Sequence, residues 1–143
     1  MVSTPASLWL RLAAAVYDLF PLLALWMLTA GAALFLVHGA VDLAHPALAW
    51  RIGLRGALLV VTALYFVVSW VRGGQTIGMR AWRLRVVTRE GSALSWAQAL
   101  LRFAAAIGSL AAVGVGFLWC LVGRNGDGWH DLAARTHMVR IAR

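Results

Sequence analysis

The stretch RLAAAVYDLFPLLALWML, residues 11–28, decides the fold class because it is almost continuously apolar. The apolar run around it covers roughly residues 9–37, more than the about 20 residues that a helix needs to cross a hydrocarbon core of about 30 Å. Asp18 lies inside this run. An unpaired charge near the bilayer centre costs at least about 2.5–3.5 kcal/mol. A spanning helix that keeps such a residue therefore needs a partner or a wet cavity for it.

Two further apolar runs are long enough to span, roughly residues 50–71 and 97–122. Tryptophans flank both, as at membrane interfaces: Trp50, Trp70, Trp96 and Trp119. The chain is 62% hydrophobic and only 13% charged, which excludes an ordinary soluble domain of 143 residues. These features predict one all-α integral membrane domain over residues 1–143. It has three hydrophobic helical spans and lies as a multi-pass protein in a bacterial inner (cytoplasmic) membrane.

The connection between the second and third runs, residues 71–96, has a structure of its own. It opens with a Gly-Gly break, after which Thr76 is expected to cap a short helix that ends at Arg80 or Ala81. Alternating residues follow, and REGS at 89–92 supplies a turn, so a short hairpin is predicted. We expect this hairpin to lie on the headgroups of the cytoplasmic leaflet.

The distribution of arginines does not decide on which side of the membrane the C-terminal tail lies. The 71–96 connection holds five arginines, so the positive-inside rule places it in the cytoplasm with the N-terminus. Three full crossings then put the arginine-rich tail outside, and the two sides tie at six arginines each. Dual topology is one resolution. A third run that dips in and returns near residues 114–116 is another, and it leaves the tail, with an interfacial segment at 129–136, in the cytoplasm.

A ridge of small residues argues for a continuous third helix that packs against a neighbour. Its members recur every four residues: Ala104, Gly108, Ala112 and Gly116.

Asp18 has two candidate cationic partners. Arg11 lies on the same helix face but about 10 Å away along the axis. Arg102 is the better candidate, because it enters the third run at a depth comparable to that of Asp18. Three readings stay open for Asp18: a buried ion pair that fixes helix register, a proton or cation pathway, and a carboxylate that reaches back to the interface.

Several other classes of site and partner are not expected. The net charge is +8, but the arginines flank apolar runs, which favours a bilayer with anionic headgroups over nucleic acid. Cys120 is alone and the four histidines lack a metal-site spacing, so no cofactor or metal is expected. The His130–Asp131 pair has no accompanying nucleophile, so we do not expect an enzyme.

These residues together resemble the RDD family over nearly the whole chain. The resemblance is carried by Arg11, Asp18, GGQTIGMR at 73–80, Arg102 and HDLAART at 130–136, in that order. The family is named for one Arg and two Asp, here matched to Arg11, Asp18 and Asp131. The supporting turn consists of Gly74, Gln75, Thr76, Gly78 and Arg80. Two departures stand out: Met79 replaces a family Lys, and Leu132 and Arg135 replace an Arg and a Gly.

The resemblance implies transport or ion exchange of an unknown small ion or solute. Asp18 would act as the intramembrane carboxylate, and Arg11, Arg102 and Asp131 would set its charge balance. Because three helices barely enclose a path, transport implies a homo-oligomer. The rival interpretation is a non-transporting membrane scaffold or assembly partner. A water-accessible pocket around Asp18 favours transport, whereas a dry, fully paired Asp18 favours the scaffold.

A final expectation concerns the tail. Asp131 is predicted to accept hydrogen bonds on the cytoplasmic face, either from Arg11, Arg72 or Arg80 or from the backbone amides of residues 74–78. Such a contact requires the third run to be bent or re-entrant.

Overall fold

The computed structural model describes residues 4–37, 47–112 and 128–141. Its helices are α1 (Leu8–Val37), α2 (Leu48–Gly73), α3 (Ile77–Ala81), α4 (Trp96–Ala111) and α5 (Trp129–Ala133). Its strands are β1 (Thr4–Pro5), β2 (Leu84–Thr88) and β3 (Thr136–Arg140).

Helices α1 and α2 are long and apolar enough to cross a membrane, and they coincide with the first two predicted spans. With 30 and 26 residues, they are about 45 and 39 Å long at ~1.5 Å per residue. They run antiparallel, because Asp18 contacts Tyr65 near one end while Trp26 contacts Thr62 further along. Helix α1 continues through Pro21 without interruption.

Helix α4 occupies the first part of the third predicted span. It is apolar but has only 16 residues, and Ser95 and Gln98 form a capping box at its start. It packs against α2, where the rings of Phe103 and Phe66 lie 6.3 Å apart. The predicted break near residues 114–116 lies outside the described residues.

The small-residue ridge of α4 does not pack within the described chain. Ala104, Gly108 and Ala112 are exposed, and the space beside Gly108 is open. Among the described residues this ridge meets no other helix, so its packing against a neighbour stays a prediction. Gly116 lies outside that part.

The three strands form one antiparallel sheet in the order β1-β3-β2. Strand β2 pairs with β3 along its whole length, from Leu84 opposite Arg140 to Thr88 opposite Thr136. Strand β1 pairs with the other edge of β3. The predicted local hairpin is therefore wrong. A strand does form where the alternation predicts one, but its partner comes from the C-terminal tail.

The sheet brings three distant segments to one end of the helices, here called the sheet end. These are the residues before α1, the connection after α2 and the tail after α5. Helix α4 also starts there, because Arg102 in its second turn lies over the Trp70 ring near the end of α2. Because β2 and β3 pair along their whole length, the tail lies against the connection, as expected. Residues 113–127, on which the choice between a full and a bent third span depends, lie outside the described residues.

A small hydrophobic core lies beneath the sheet and seals the sheet end. Leu84 and Val86 point inward from β2 and are 0% and 1% exposed. They meet apolar side chains of every neighbouring element: Ala6, Ala14, Val67, Trp70, Met79, Leu94 and Ala99. Burial of this apolar surface holds α3 and the sheet against the ends of the long helices.

Candidate functional site: two buried carboxylates at the sheet end

Asp18 is almost completely buried, with 3% of its surface exposed, and it accepts three hydrogen bonds from the protein. The hydroxyl of Tyr65 donates to Oδ1 at 2.6 Å, and the backbone N–H of Gly78 donates to the same oxygen at 2.8 Å. The hydroxyl of Thr76 donates to Oδ2 at 2.5 Å. The carboxylate thus joins three elements: α1, α2 and the start of α3.

These bonds also satisfy the free N–H groups in the first turn of α3. Ile77 donates to the Tyr65 hydroxyl at 3.3 Å, Gly78 donates to Asp18, and Met79 donates to the Thr76 hydroxyl at 3.2 Å. A helix start leaves such groups without intrahelical partners, and a carboxylate there is also favoured by the helix dipole. The predicted cap at Thr76 and the predicted short helix are confirmed.

The predicted pairing of Asp18 with Arg102 is wrong. Arg102 bonds instead to Asp131, and the donors to Asp18 among the described residues, Tyr65, Thr76 and Gly78, are uncharged. The prediction compared depth along the membrane normal but had no information on the direction in which each side chain points. The backbone amides of residues 74–78 were expected as alternative donors to Asp131. The amide of Gly78 donates instead to Asp18.

Asp131 lies between two arginines that come from different helices. Arg11 of α1 donates to its Oδ2 at 2.5 Å, and Arg102 of α4 forms a short hydrogen bond to its Oδ1. The backbone N–H of Gly128 adds a bond of 3.0 Å to Oδ2. Asp131 is 0% exposed, and Arg102 is 1% exposed. Of the predicted donors to Asp131, Arg11 is thus confirmed, whereas Arg72 and Arg80 do not bond to it.

Arg102 is held in place by two further contacts. Its Nη1 donates to the hydroxyl of Thr136 at 2.7 Å, at the start of β3. Its guanidinium lies 5.1 Å from the centre of the Trp70 ring, a cation–π geometry. Arg11 similarly donates from Nε to the carbonyl of Ala6 at 3.2 Å, next to β1. The Asp131 cluster therefore ties α1, α4 and α5 to two of the three strands.

The electrostatics of the cluster favour an ionised Asp131. Burial alone would raise the pKa of this carboxyl, but the charge of Arg102, the neighbouring His130 and Arg11 together hold it well below its usual range. The N–H of Gly128 acts in the same direction.

The pKa of His130 is lowered, whereas a histidine that forms an ordinary ion pair has a raised pKa. Burial lowers the pKa of its imidazole to about 4, and the positive charge of Arg102 adds to the effect, although Asp131 opposes it. His130 Nε2 lies 3.7 Å from Asp131 Oδ2. The fold thus favours a neutral imidazole beside the two arginines.

This shift predicts a stability that depends on pH. The folded-state pKa of His130 is about 4, below the ordinary value of 6.5, so the unfolded chain binds the proton first as pH falls. The stabilisation is present above pH 6.5 and is lost towards pH 4, a loss of up to about 3 kcal/mol. Thermal unfolding in detergent across this range measures it, and His130→Gln should flatten the dependence. The matched control is His137→Gln on β3, and an unchanged pH profile in the His130 variant contradicts the prediction.

Comparison with known proteins bears on the same residues. The model of the RDD family matches residues 5–135 of this chain, a range that includes Asp18, Asp131 and the turn at residues 74–78. The chain belongs to the RDD family. With its two long apolar helices, this RDD protein is a membrane protein. No curated protein and no solved structure matches it.

In this RDD protein the three residues for which the family is named have two structural environments. Arg11 and Asp131 bond to each other across the fold, and Asp18 holds the 76–79 turn separately. The predicted turn residues are all at the sheet end. Gly74 has the left-handed conformation that ends α2, with φ of 66°, and Gln75 donates from Nε2 to the carbonyl of Leu84 at 2.7 Å.

Two members of these clusters had no role in the sequence-based prediction. Tyr65 is one of two tyrosines in the chain and lies in the apolar run of α2, where a buried hydroxyl needs a partner. Thr136 is the last residue of the motif HDLAART, so its position next to the motif was a signal that it belongs to the cluster.

Proposed function

We propose that this RDD protein is a multi-pass protein of the bacterial cytoplasmic membrane that acts as a scaffold or assembly partner. In this proposal Asp18, Arg11, Arg102 and Asp131 hold the sheet end together and do not carry a substrate. The observation that supports it most directly is the environment of Asp18. The carboxylate is 3% exposed, and its donors are a tyrosine, a threonine and a backbone amide of the same chain.

The position of Asp18 along α1 agrees with a structural role. From Asp18 to the end of α1 at Val37 there are about 20 residues, or about 30 Å of helix. This length alone matches the hydrocarbon core of a bilayer. Asp18 and the α3 turn would then lie at the boundary of the membrane, where the cost of burying a carboxylate is smaller than at its centre. The apolar stretch can carry this acid because α3 folds back and supplies hydrogen bonds to it.

The test combines ion flux with stability in one pair of proteins. Asp18→Asn replaces one acceptor oxygen by an NH₂ group that faces other donors, so we expect a loss of about 1–3 kcal/mol of unfolding free energy. Wild-type protein in liposomes should give no proton, sodium or potassium flux above that of protein-free vesicles. Glu90→Gln, which removes an exposed carboxylate, is the matched control for stability. Flux that Asp18→Asn abolishes without a change in stability would overturn the proposal.

Transport or ion exchange remains the second candidate because of one feature of Asp18. Among the described residues, no donor to this carboxylate carries a positive charge, and carboxylates within apolar helices often mark proton or cation pathways. In this case the path requires several copies of the chain, since three helices barely enclose a path. The same flux assay decides between the two candidates.

The orientation of the sheet end is also part of this proposal. Arg83, Arg85 and Arg89 are expected to face the cytoplasm by the positive-inside rule. Since the sheet joins the connection to the tail, cysteines at Ser92 and Arg140, introduced after Cys120→Ala, should behave alike. Both should resist a membrane-impermeant thiol reagent in intact cells, whereas a cysteine at Leu48 should react. Labelling at Arg140 but not at Ser92 would contradict the proposal that the tail and the connection lie on the same side of the membrane. Labelling at both positions would mean that the sheet end faces outward.

A further inference from the structure

Most of the exposed arginines lie at the sheet end. Seven of them are on the end of α2, on α3, on the sheet or in its turns: Arg72, Arg80, Arg83, Arg85, Arg89, Arg135 and Arg140. Among the described residues of this end, Glu90 is the only exposed acid. Such a one-sided concentration of charge attracts an anionic partner.

The side chains of two of these arginines lie against the turn that ends α2, Arg80 with its guanidinium and Arg85 with the aliphatic part of its side chain. Arg80 folds back so that its Nη2 lies 3.5 Å from the point where a Cβ on Gly73 would be. The Cγ of Arg85 lies 3.0 Å from the corresponding point on Gly74, the next residue. Neither arginine forms an ion pair with a described residue. We call this site, made of Gly73, Gly74, Arg80 and Arg85, the Gly-Gly corner.

The surroundings of the Gly-Gly corner indicate a membrane surface more than a soluble acidic partner. Ile77, one turn before Arg80 on α3, is 57% exposed. Tryptophans are exposed at the starts of three of the four helices that begin at this end: Trp9, Trp96 and Trp129. Exposed indole rings and an exposed isoleucine beside arginines are typical of the depth at which acyl chains meet headgroups.

We propose that the Gly-Gly corner is a binding site for the phosphate of an anionic phospholipid headgroup. Arg80 and Arg85 supply the positive charge for the phosphate, and Ile77 lies against the acyl chains just below. Arginine suits this role because its planar guanidinium can donate two parallel hydrogen bonds to one phosphate. The proposal depends on the membrane position of the sheet end but not on whether the protein is a scaffold or a transporter.

The experiment is a lipid titration of the purified full-length chain in neutral detergent. Phosphatidylglycerol should raise the unfolding temperature more than phosphatidylcholine does, because a ligand that binds only the folded state stabilises it. The variant Arg80→Gln/Arg85→Gln should weaken the apparent affinity for phosphatidylglycerol roughly 20-fold. Each arginine near a charged surface contributes a factor of about five to this affinity, and the two factors multiply. The variant Arg80→Lys/Arg85→Lys should retain most of the effect.

The matched control removes the same charge from the other end of the same helix. Arg51 and Arg55 are exposed in the first turns of α2, far from the corner, and Arg51→Gln/Arg55→Gln should leave the phosphatidylglycerol effect unchanged. Equal loss in both double variants, or no loss in either, overturns the proposal. So does an equal effect of glycerol phosphate at the same concentration, which indicates a site for free phosphate. An effect of a single-stranded oligonucleotide that only the corner variant loses indicates nucleic acid instead.

Discussion

Replacing Gly78 with alanine is expected to destabilise the protein by about 3–5 kcal/mol, or to prevent its folding. A Cβ at this position would lie 2.1 Å from the carbonyl oxygen of Ala14 and 2.9 Å from Cγ of Asp18. The first contact is to the backbone of α1, which cannot move aside as a flexible side chain would. Relief of the clash requires α3 to shift, which costs about 1–3 kcal/mol in a packed interior. The same shift breaks the N–H bond from Gly78 to Asp18, worth about 1.5–3 kcal/mol.

The unfolding free energy of the Gly78 variant in detergent, compared with a second glycine variant, measures this effect. Gly56→Ala is the matched control, because a Cβ on Gly56 meets nothing within 4 Å and alanine favours the interior of a helix. We expect Gly56→Ala to be neutral or slightly stabilising. Wild-type stability in Gly78→Ala would mean that α3 does not lie against α1 as described.

Local patterns in the sequence were sufficient for the helices of the described chain. Long apolar runs predicted α1 and α2, and Thr76 after the Gly-Gly break predicted α3. These features depend on residues that are neighbours in the chain, so the sequence contains them directly. The family resemblance came from short motifs in a fixed order, and the family match confirms it.

The partner of β2 was predicted wrongly, although two local signals pointed away from a hairpin. The REGS turn does form, with Gly91 at φ of 80° and its N–H bonded to the carbonyl of Thr88 at 2.9 Å. Ser95, however, begins the capping box of α4, so only residues 92–94 remain for a returning strand. The tail segment THMVR has the length of a strand, but its register with β2 is a long-range property that periodicity does not contain.

The partners of the two aspartates illustrate the same limit. Asp18 was singled out as a buried charge that needs a partner, and Asp131 as an acceptor for a nearby arginine, yet the sequence places them only along a helix axis. The direction of each side chain around that axis, which decides between Arg102 and the α3 turn as the partner of Asp18, depends on how α1, α2 and α4 pack. That packing in turn depends on the sheet, whose paired residues are 48 or more positions apart in the chain.

Asp131→Asn is expected to cost about 3–5 kcal/mol and to loosen the sheet specifically. The substitution keeps the shape of the side chain but removes the carboxylate between Arg11 and Arg102, whose side chains are 8% and 1% exposed. Removing one partner from a buried charge cluster is costly because the remaining charge stays buried and uncompensated. Since Arg11 also holds Ala6 and Arg102 also holds Thr136, the loss should reach β1 and β3.

Equilibrium unfolding and hydrogen exchange test this effect together. Exchange should accelerate at the amide of Ala6, which bonds to Met138, and at the amide of Ile141, which bonds to Arg83. In an Arg102→Met background, Asp131→Asn should cost less than it does alone, because the buried cation that bonds to Asp131 Oδ1 is already absent. An equal cost in both backgrounds would mean that Arg102 and Asp131 are not coupled. Unchanged exchange at Ala6 and Ile141 would mean that the sheet does not depend on the cluster, and that the tail is held at this end by the sheet pairing alone.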